Sequence, residues 1–337
     1  MDDSRGHVRD RQVSVRVVIP GGSGQVGTIL AREFHRNGHD VVVLSRGPET
    51  RPWRVIKWDG ATVGAWQREI DGADVVINLA GRSVNCRYDA ANRNEILQSR
   101  IASTRAVGEA IGRASQPPRV WLQASTATIY AHRYQGANDE RSGVIGGAEP
   151  DAPDTWRFSI EVARAWERAC NEAVTPATRK VLLRSAMTMS PDEGGVFDAL
   201  IGLVRFGLGG SAGTGGQFVS WIHYEDLVEA VRWLIERRDI DGAVNLASPH
   251  PLPNAEFMRV LREAYGVPFG LPACDWMLEI GAAFMRTETE LILKSRHVVP
   301  QRLLEGGFTF KFPSWSDAAA NLCDKWKAAR KITRSVA

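Results

Sequence analysis

The chain has 337 residues, enough at about 150 residues per domain for one large α/β unit or two domains with a sizeable core. Lys and Arg total 42 against 39 Asp and Glu, a net charge of +3 spread along the chain, so neither a polyanion-binding surface nor an acidic tail follows and nucleic acid is not an expected partner. The start is charged, no run reaches the ~20 apolar residues of a membrane span, and the four cysteines form no C-x-x-C pair, which reads as a cytoplasmic protein with reduced thiols, no membrane partner and no metal site.

Residues 1–14 read as a flexible tail, and the first strand is expected at 15–19. Glycines at 21, 24 and 27 follow it, then a helical stretch over 28–36. Further short apolar runs stand at 41–44, 54–56, 75–79, 120–122, 181–183 and 244–246, with helical stretches between them. Continuous rather than alternating apolar strands suit a parallel sheet covered on both faces, so the expected fold is α/β, a Rossmann-type doubly wound parallel sheet. Two polar or glycine-rich segments, 131–154 and 207–217, read as long loops able to line a site. From about 252 the pattern is mainly helical, over 253–265, 275–285 and 314–331. The expected division is a Rossmann domain over 15–250, with 190–222 contributing to the substrate side, and a smaller helical substrate domain over 251–337. The basic residues of 325–334 most simply complement a helix C-terminus.

The segment Gly21-Gly22-Ser23-Gly24-Gln25-Val26-Gly27 stands between a strand and a helix, the setting that dinucleotide binding requires. Gly21 permits the tight turn, Gly24 lets a pyrophosphate approach the backbone, and Gly27 allows close helix packing, with free N–H groups facing the phosphates. An acid at the carboxyl end of the second strand would accept from the ribose 2′-OH of NAD, but the chain has Ser45-Arg46 there. Asp40 begins that strand and is five residues away from its end. Arg46 can bond a 2′-phosphate and Ser45 can donate to it, so NADP is the expected cofactor.

With these residues in place the sequence resembles the extended short-chain dehydrogenase/reductase superfamily, with Asp59, Asn78-Leu79-Ala80-Gly81, Ser125-Thr126 to Tyr130 and Trp221-Ile222-His223 carrying the likeness. More narrowly it looks like the atypical epimerase-like branch of the NAD-dependent epimerase/dehydratase superfamily, which ends in a short domain of unknown function. Trp58-Asp59-Gly60, Ser99-Arg100, Phe206-Gly207-Leu208-Gly209-Gly210 and the Pro300-Gln301-Arg302-Leu303 to Gly307-Phe308 stretch carry that narrower likeness. The resemblance implies that Asp59 lies near the adenine, that Leu79, Ala80 and Gly81 pass the cofactor, and that Thr126 sits where a Ser or Thr binds the substrate oxygen. Arg184 is an additional expected cofactor-binding residue.

The superfamily's Tyr-x-x-x-Lys proton relay has no counterpart here: aligning on Glu167 puts Ser159 at the tyrosine position and Ala163 at the lysine position. Thr126, Ser125 and Tyr130 are the expected catalytic residues, with His132, Tyr88 and Cys86 as weaker proton donors. Val219 replaces an arginine that sugar-nucleotide members place four residues before the histidine corresponding to His223, which makes a nucleotide sugar a poorer fit. His223 and Asp226 read as parts of a helix start. The expected function is an NADP(H)-binding oxidoreductase or epimerase-like protein with a small polar substrate; the alternative is a non-catalytic NADP(H) sensor or scaffold.

Overall fold

A computed structural model describes residues 14–150, 152–273 and 290–336. The expected tail, apart from Ser14, and the expected helix over 275–285 lie outside the described residues. The chain runs β1 (Arg16–Pro20), α1 (Gln25–Arg36), β2 (Asp40–Ser45), β3 (Arg54–Lys57), β4 (Val75–Asn78), α2 (Ala90–Arg113), β5 (Val120–Thr126), α3 (Asp154–Glu172) and β6 (Arg179–Ser185). It continues with β7 (Met187–Met189), α4 (Val196–Arg205), β8 (Phe218–Val219), β9 (Trp221–His223), α5 (Tyr224–Glu236), β10 (Gly242–Leu246), β11 (Leu252–Pro253) and α6 (Asn254–Tyr265). The later helices are α7 (Glu290–Leu293), α8 (Gln301–Glu305) and α9 (Trp315–Val336).

The seven apolar runs form one parallel sheet in the order β10-β6-β5-β4-β1-β2-β3. Val17 and Ile19 of β1 enter one core layer with α1 and α5, while Val18 enters the opposite layer with α2. Both faces are therefore covered, which is why this strand is apolar at consecutive positions. From β1 the chain winds outward to β2 and β3, then returns to β4 on the other side, so the order reverses between β1 and β4. Rossmann-type sheets bind their ligands in the crevice at that reversal, at the carboxyl ends of the strands.

A third apolar layer joins Met189, Phe197, Ile201 and Val219 to Phe257 of α6 and to Trp315, Leu322 and Trp326 of α9. Lys325 and Arg330 of α9 serve this packing rather than a helix end. Lys325 pairs with Glu225, and Arg330 pairs with Asp198 while stacking over the Trp326 ring at 3.7 Å. The helix continues past them to Val336, which places these cations in its body. Both long loops carry isolated bridges, Tyr130 to Ile145 and Asn138 to Val298 for the first and Ala212 to Ala273 for the second.

Candidate functional site

Three strand ends are laced together at the crevice. Gly21 N donates to Leu44 O at 2.9 Å, and Leu79 N donates to Pro20 O at 2.8 Å, so Pro20, which has no N–H, contributes only its acceptor. Gly21 has φ +74°, and a Cβ there would lie 2.5 Å from Ala80 Cα. A Cβ on Gly27 would lie 2.4 Å from Gly22 Cα, so these two glycines are required by the fold itself. Gly24 differs: a Cβ there would meet only Gly21 O, at 3.8 Å, and would point into open space. Gly24 caps α1 without a side-chain hydrogen bond, which leaves first-turn N–H groups for an anion. Beside it, the buried Gln25 Nε2 has no hydrogen-bond partner. An open cradle with unspent donors fits a pyrophosphate.

At the next strand end Ser45 is buried and Arg46 exposed, with Arg46 Cδ alongside Gly60. Asp40 sits at the opposite end of β2 and pairs with Arg16 at 3.5 Å. Asp59 accepts from Ala61 N, Thr62 N and the Thr62 hydroxyl, contacts that hold its carboxyl below the usual range, led by the Thr62 side chain. Its side chain thus shapes the turn after β3. Asn78 is fully buried, donating to Gln123 Oε1 at 2.9 Å and accepting from Ala80 N at 3.2 Å, which sets the Leu79-Ala80-Gly81 turn.

The carboxyl end of β5 brings the expected catalytic residues together in different roles. Ser125 Oγ donates to Glu167 Oε1 at 2.6 Å, and Arg184 binds both Glu167 oxygens at 2.8 and 2.9 Å. Arg184 also donates to the Tyr130 hydroxyl at 2.9 Å, which donates to Asn245 Oδ1 at 3.0 Å. Burial raises the Tyr130 phenol, and Glu167 drives the Arg184 guanidinium above its ordinary value despite burial. Ser125, Tyr130 and Arg184 are thereby bound into one buried network joining β5, α3, β6 and β10. Thr126 stands apart: its oxygen accepts from Thr128 N at 3.1 Å, and its hydroxyl hydrogen is left to donate.

Ser159, Ala163 and Glu167 lie at i, i+4 and i+8 on α3 and share the face turned to the end of β5. Glu167 holds Ser125, and Ala163 is fully buried in a small apolar cluster with Ala127, Ile129, Tyr130 and Val298. Ser159 donates to Glu290 Oε2, from the start of α7. The stretch 290–298 forms a polar wall here that sequence reading did not anticipate. Arg296 lies 3.7 Å from Glu290 and donates to Thr128 Oγ1 at 3.1 Å, while Lys294 Nζ donates to Thr128 O at 2.8 Å. Burial, aided by Arg296, pulls the Lys294 ammonium down to about 8. Tyr88, from the turn before α2, packs edge-on against Phe158 at 5.2 Å.

Val219 is buried and pairs with Leu252. His223 caps α5, accepting from Glu225 N at 3.2 Å, whereas Asp226 accepts from Lys311 N and Phe312 N at 2.7 and 3.0 Å. The acid therefore anchors a distant segment, and the histidine does the capping. Among the described residues no group of three His, Cys, Asp or Glu is disposed to hold a metal ion, and no helix is long and apolar enough to cross a membrane.

Residues 17–247 match the model of the NAD dependent epimerase/dehydratase family, and residues 274–322 match a domain of unknown function, DUF1731. The chain is 32% identical to the epimerase family protein SDR39U1 of Bos taurus over 303 residues, covering 89% of this chain and 96% of that protein. It is 29% identical to the epimerase family protein YfhF of Bacillus subtilis, covering 91% and 98%. The crystal structure of human SDR39U1 (isoform 2) with NADPH superposes with a TM-score of 0.80 at 28% identity, over 92% of this chain and 99% of that one. With its seven-stranded parallel sheet, crevice glycines and these relatives, the chain belongs to the NAD dependent epimerase/dehydratase family.

Proposed function

We propose that the protein is a cytoplasmic NADP(H)-dependent oxidoreductase or epimerase-like enzyme for a small polar substrate, working without a Tyr-x-x-x-Lys relay. The observation that carries the cofactor half is the β2 end, where Ser45 and Arg46 stand and the strand's own acid, Asp40, is spent on Arg16 at the far end of the strand. The NADPH named with the human relative supports the same reading. Arg46 and Ser45 would hold the 2′-phosphate, the Gly24 cradle and Gln25 the pyrophosphate, and the Ala80-Gly81 turn the nicotinamide side. The bound nicotinamide supplies hydride exchange with the substrate. Thr126 would hold the reacting oxygen by donating the hydroxyl hydrogen that its Thr128 contact leaves over.

The missing relay is supported by packing as well as by sequence. Ala163 is enclosed by Ala127, Ile129, Tyr130 and Val298, which leaves a lysine side chain no place there. Fluorescence titration of the eleven tryptophans with NADPH and NADH tests the cofactor: a preference for NADPH of about tenfold or more is expected, and equal affinity overturns it. Turnover of NADPH with a panel of small carbonyl compounds tests the reaction. Binding without turnover on any of them returns the non-catalytic sensor.

A further inference from the structure

We infer that Arg100 recognises an oxyanion on the substrate, a carboxylate or a phosphate, beside the Gly81 turn and next to the strand end that carries Thr126. The inference deepens the nicotinamide-dependent redox reading above and rests on it. Arg100 lies in the body of α2, whose side chains hold the turn after β4. Arg82 N donates to Ser99 Oγ at 2.9 Å and Ser103 Oγ donates to Ala80 O at 3.3 Å, one contact on each side of Gly81. Between them Arg100 lies over the glycine: a Cβ on Gly81 would stand 3.1 Å from its Cγ and 3.3 Å from its Cζ. The guanidinium stacks over the Trp166 ring of α3 at 4.9 Å, and its Nη1 donates to Ile96 O at 2.9 Å. Its orientation is thereby set by the protein itself.

What this guanidinium lacks is an acid. Other arginines of α2, the β4 turn, β6 and the polar wall each have one: Arg93 pairs with Asp154, Arg82 with Glu95, Arg184 with Glu167 and Arg296 with Glu290. Among the described residues Arg100 has none, and its Nε and Nη2 donate to no protein atom. Those two N–H groups form the parallel fork that fits a pair of carboxylate or phosphate oxygens. Burial pulls Arg100 down to about 10, with no carboxylate to hold it up, so it is still a cation at neutral pH. The side chain keeps partial access to solvent and Gly81 beneath it is exposed, which leaves an anion a way in. Lys294 also lacks an acid, but it is 1% exposed with its ammonium on Thr128 O, so an incoming anion meets Arg100 first. Packing alone would not select this residue. An apolar chain would cover Trp166 without the cost of enclosing an unpaired charge.

The position of the fork narrows the substrate class. β4 and β5 are neighbours in the sheet, with Asn78 opposite Gln123. Gly81 and Thr126 each stand three residues past that pair, and adjacent strands run about 4.8 Å apart. One small molecule can therefore reach from the Thr126 hydroxyl to the fork over Gly81. The class that fits carries its anionic group close to the reacting oxygen, as 2-oxo acids and the phosphate esters of small hydroxycarbonyl compounds do. Val219 leaves the β8 side without a cation, whereas Arg100 supplies one on the β4 side.

The full chain loaded with NADPH and labelled with ¹⁵N-arginine gives the first test, with Arg100→Lys identifying one Nε–H resonance. It is titrated at constant ionic strength with 2-oxobutanoate, with the amide of that acid and with inorganic phosphate. The resonance should shift saturably with an anion and stay unmoved by the amide, and the tighter of the two anions names the class. No saturable shift with either anion overturns the proposal. So does a resonance that NADPH alone shifts and the anions then leave unmoved, which assigns the fork to the cofactor's own phosphates. Kinetics give the second test. Among carbonyl compounds that the wild type reduces, anionic members should exceed their neutral counterparts in kcat/KM by about thirtyfold or more, and Arg100→Met should bring that preference to within about threefold. Equal losses for both members make Arg100 a brace for the turn and overturn the proposal. If Arg100→Met does not fold, the wild-type preference decides, and its absence overturns the proposal. A wild type that reduces nothing defeats the redox reading, while the arginine titration still reports on the fork.

Discussion

The two sides of the crevice are built by different means. On the β1, β2 and β4 side the proposed cofactor contacts are close in sequence: Gly21, Gly24 and Gly27 fall within seven residues, and Arg46 follows its strand directly. On the β5 and α3 side the contacts join side chains brought from afar, with Ser125 to Glu167 spanning 42 positions and Ser159 to Glu290 spanning 131. At Gly24 the first side offers a position where a side chain would meet little of the fold. The second joins stability and chemistry, because its polar groups also hold β5, α3 and β6 together.

The largest expected effect separates the sides through stability. Glu167→Ala leaves the Arg184 guanidinium buried without its carboxylate, which should cost about 3–5 kcal/mol in urea unfolding. At temperatures where the variant is folded, NADPH affinity should stay near wild type; a collapse of affinity would show that the sides are not separable. Gly24→Val should do the reverse. Its backbone (φ −71°, ψ 172°) is open to any residue and its Cβ meets only one atom, so melting should be unchanged while NADPH affinity falls about a hundredfold or more. Normal binding measured by calorimetry would make the turn merely structural.

Arg46→Ala should weaken NADPH by about 1.5–3 kcal/mol, the scale of a charge-assisted hydrogen bond, and leave NADH nearly unchanged. Equal losses for both would point away from the 2′-phosphate. The smallest effect is read through pH. Burial holds His223 down at about 4, neutral with Nδ1 accepting from Glu225 N. Because the unfolded chain takes up the proton first, near 6.5, the stability this residue contributes is full above that value and is lost as pH falls toward about 4. By pH 5 the loss should be about 2 kcal/mol, and His223→Asn, which still caps α5, should remove that part of the acid sensitivity. An unaltered profile would place the sensitivity elsewhere.

The sheet was readable because buried parallel strands are apolar at successive positions, as 41–44 and 75–77 are. The phosphate turn was readable because its glycines act within seven residues. Glu290, Lys294 and Arg296 were not, since nothing local ties them to Ser159. Their one signal is three charges within an apolar run before Val298-Val299-Pro300, a pattern that burial turns into a polar wall. Asp226 shows the same limit: its position favours a helix cap, but Lys311 and Phe312, 85 and 86 residues on, take both its oxygens.

The Ser159–Glu290 contact also has a timing. A ribosome adding about 5–20 residues per second takes on the order of ten seconds to travel the 131 positions between them. At the start of that interval β1 to β5 are already synthesised, whereas β6, β10 and the wall that closes over Ser159 are still to come. The nascent chain can present the crevice between β1 and β4 before the wall beside Ser159 exists.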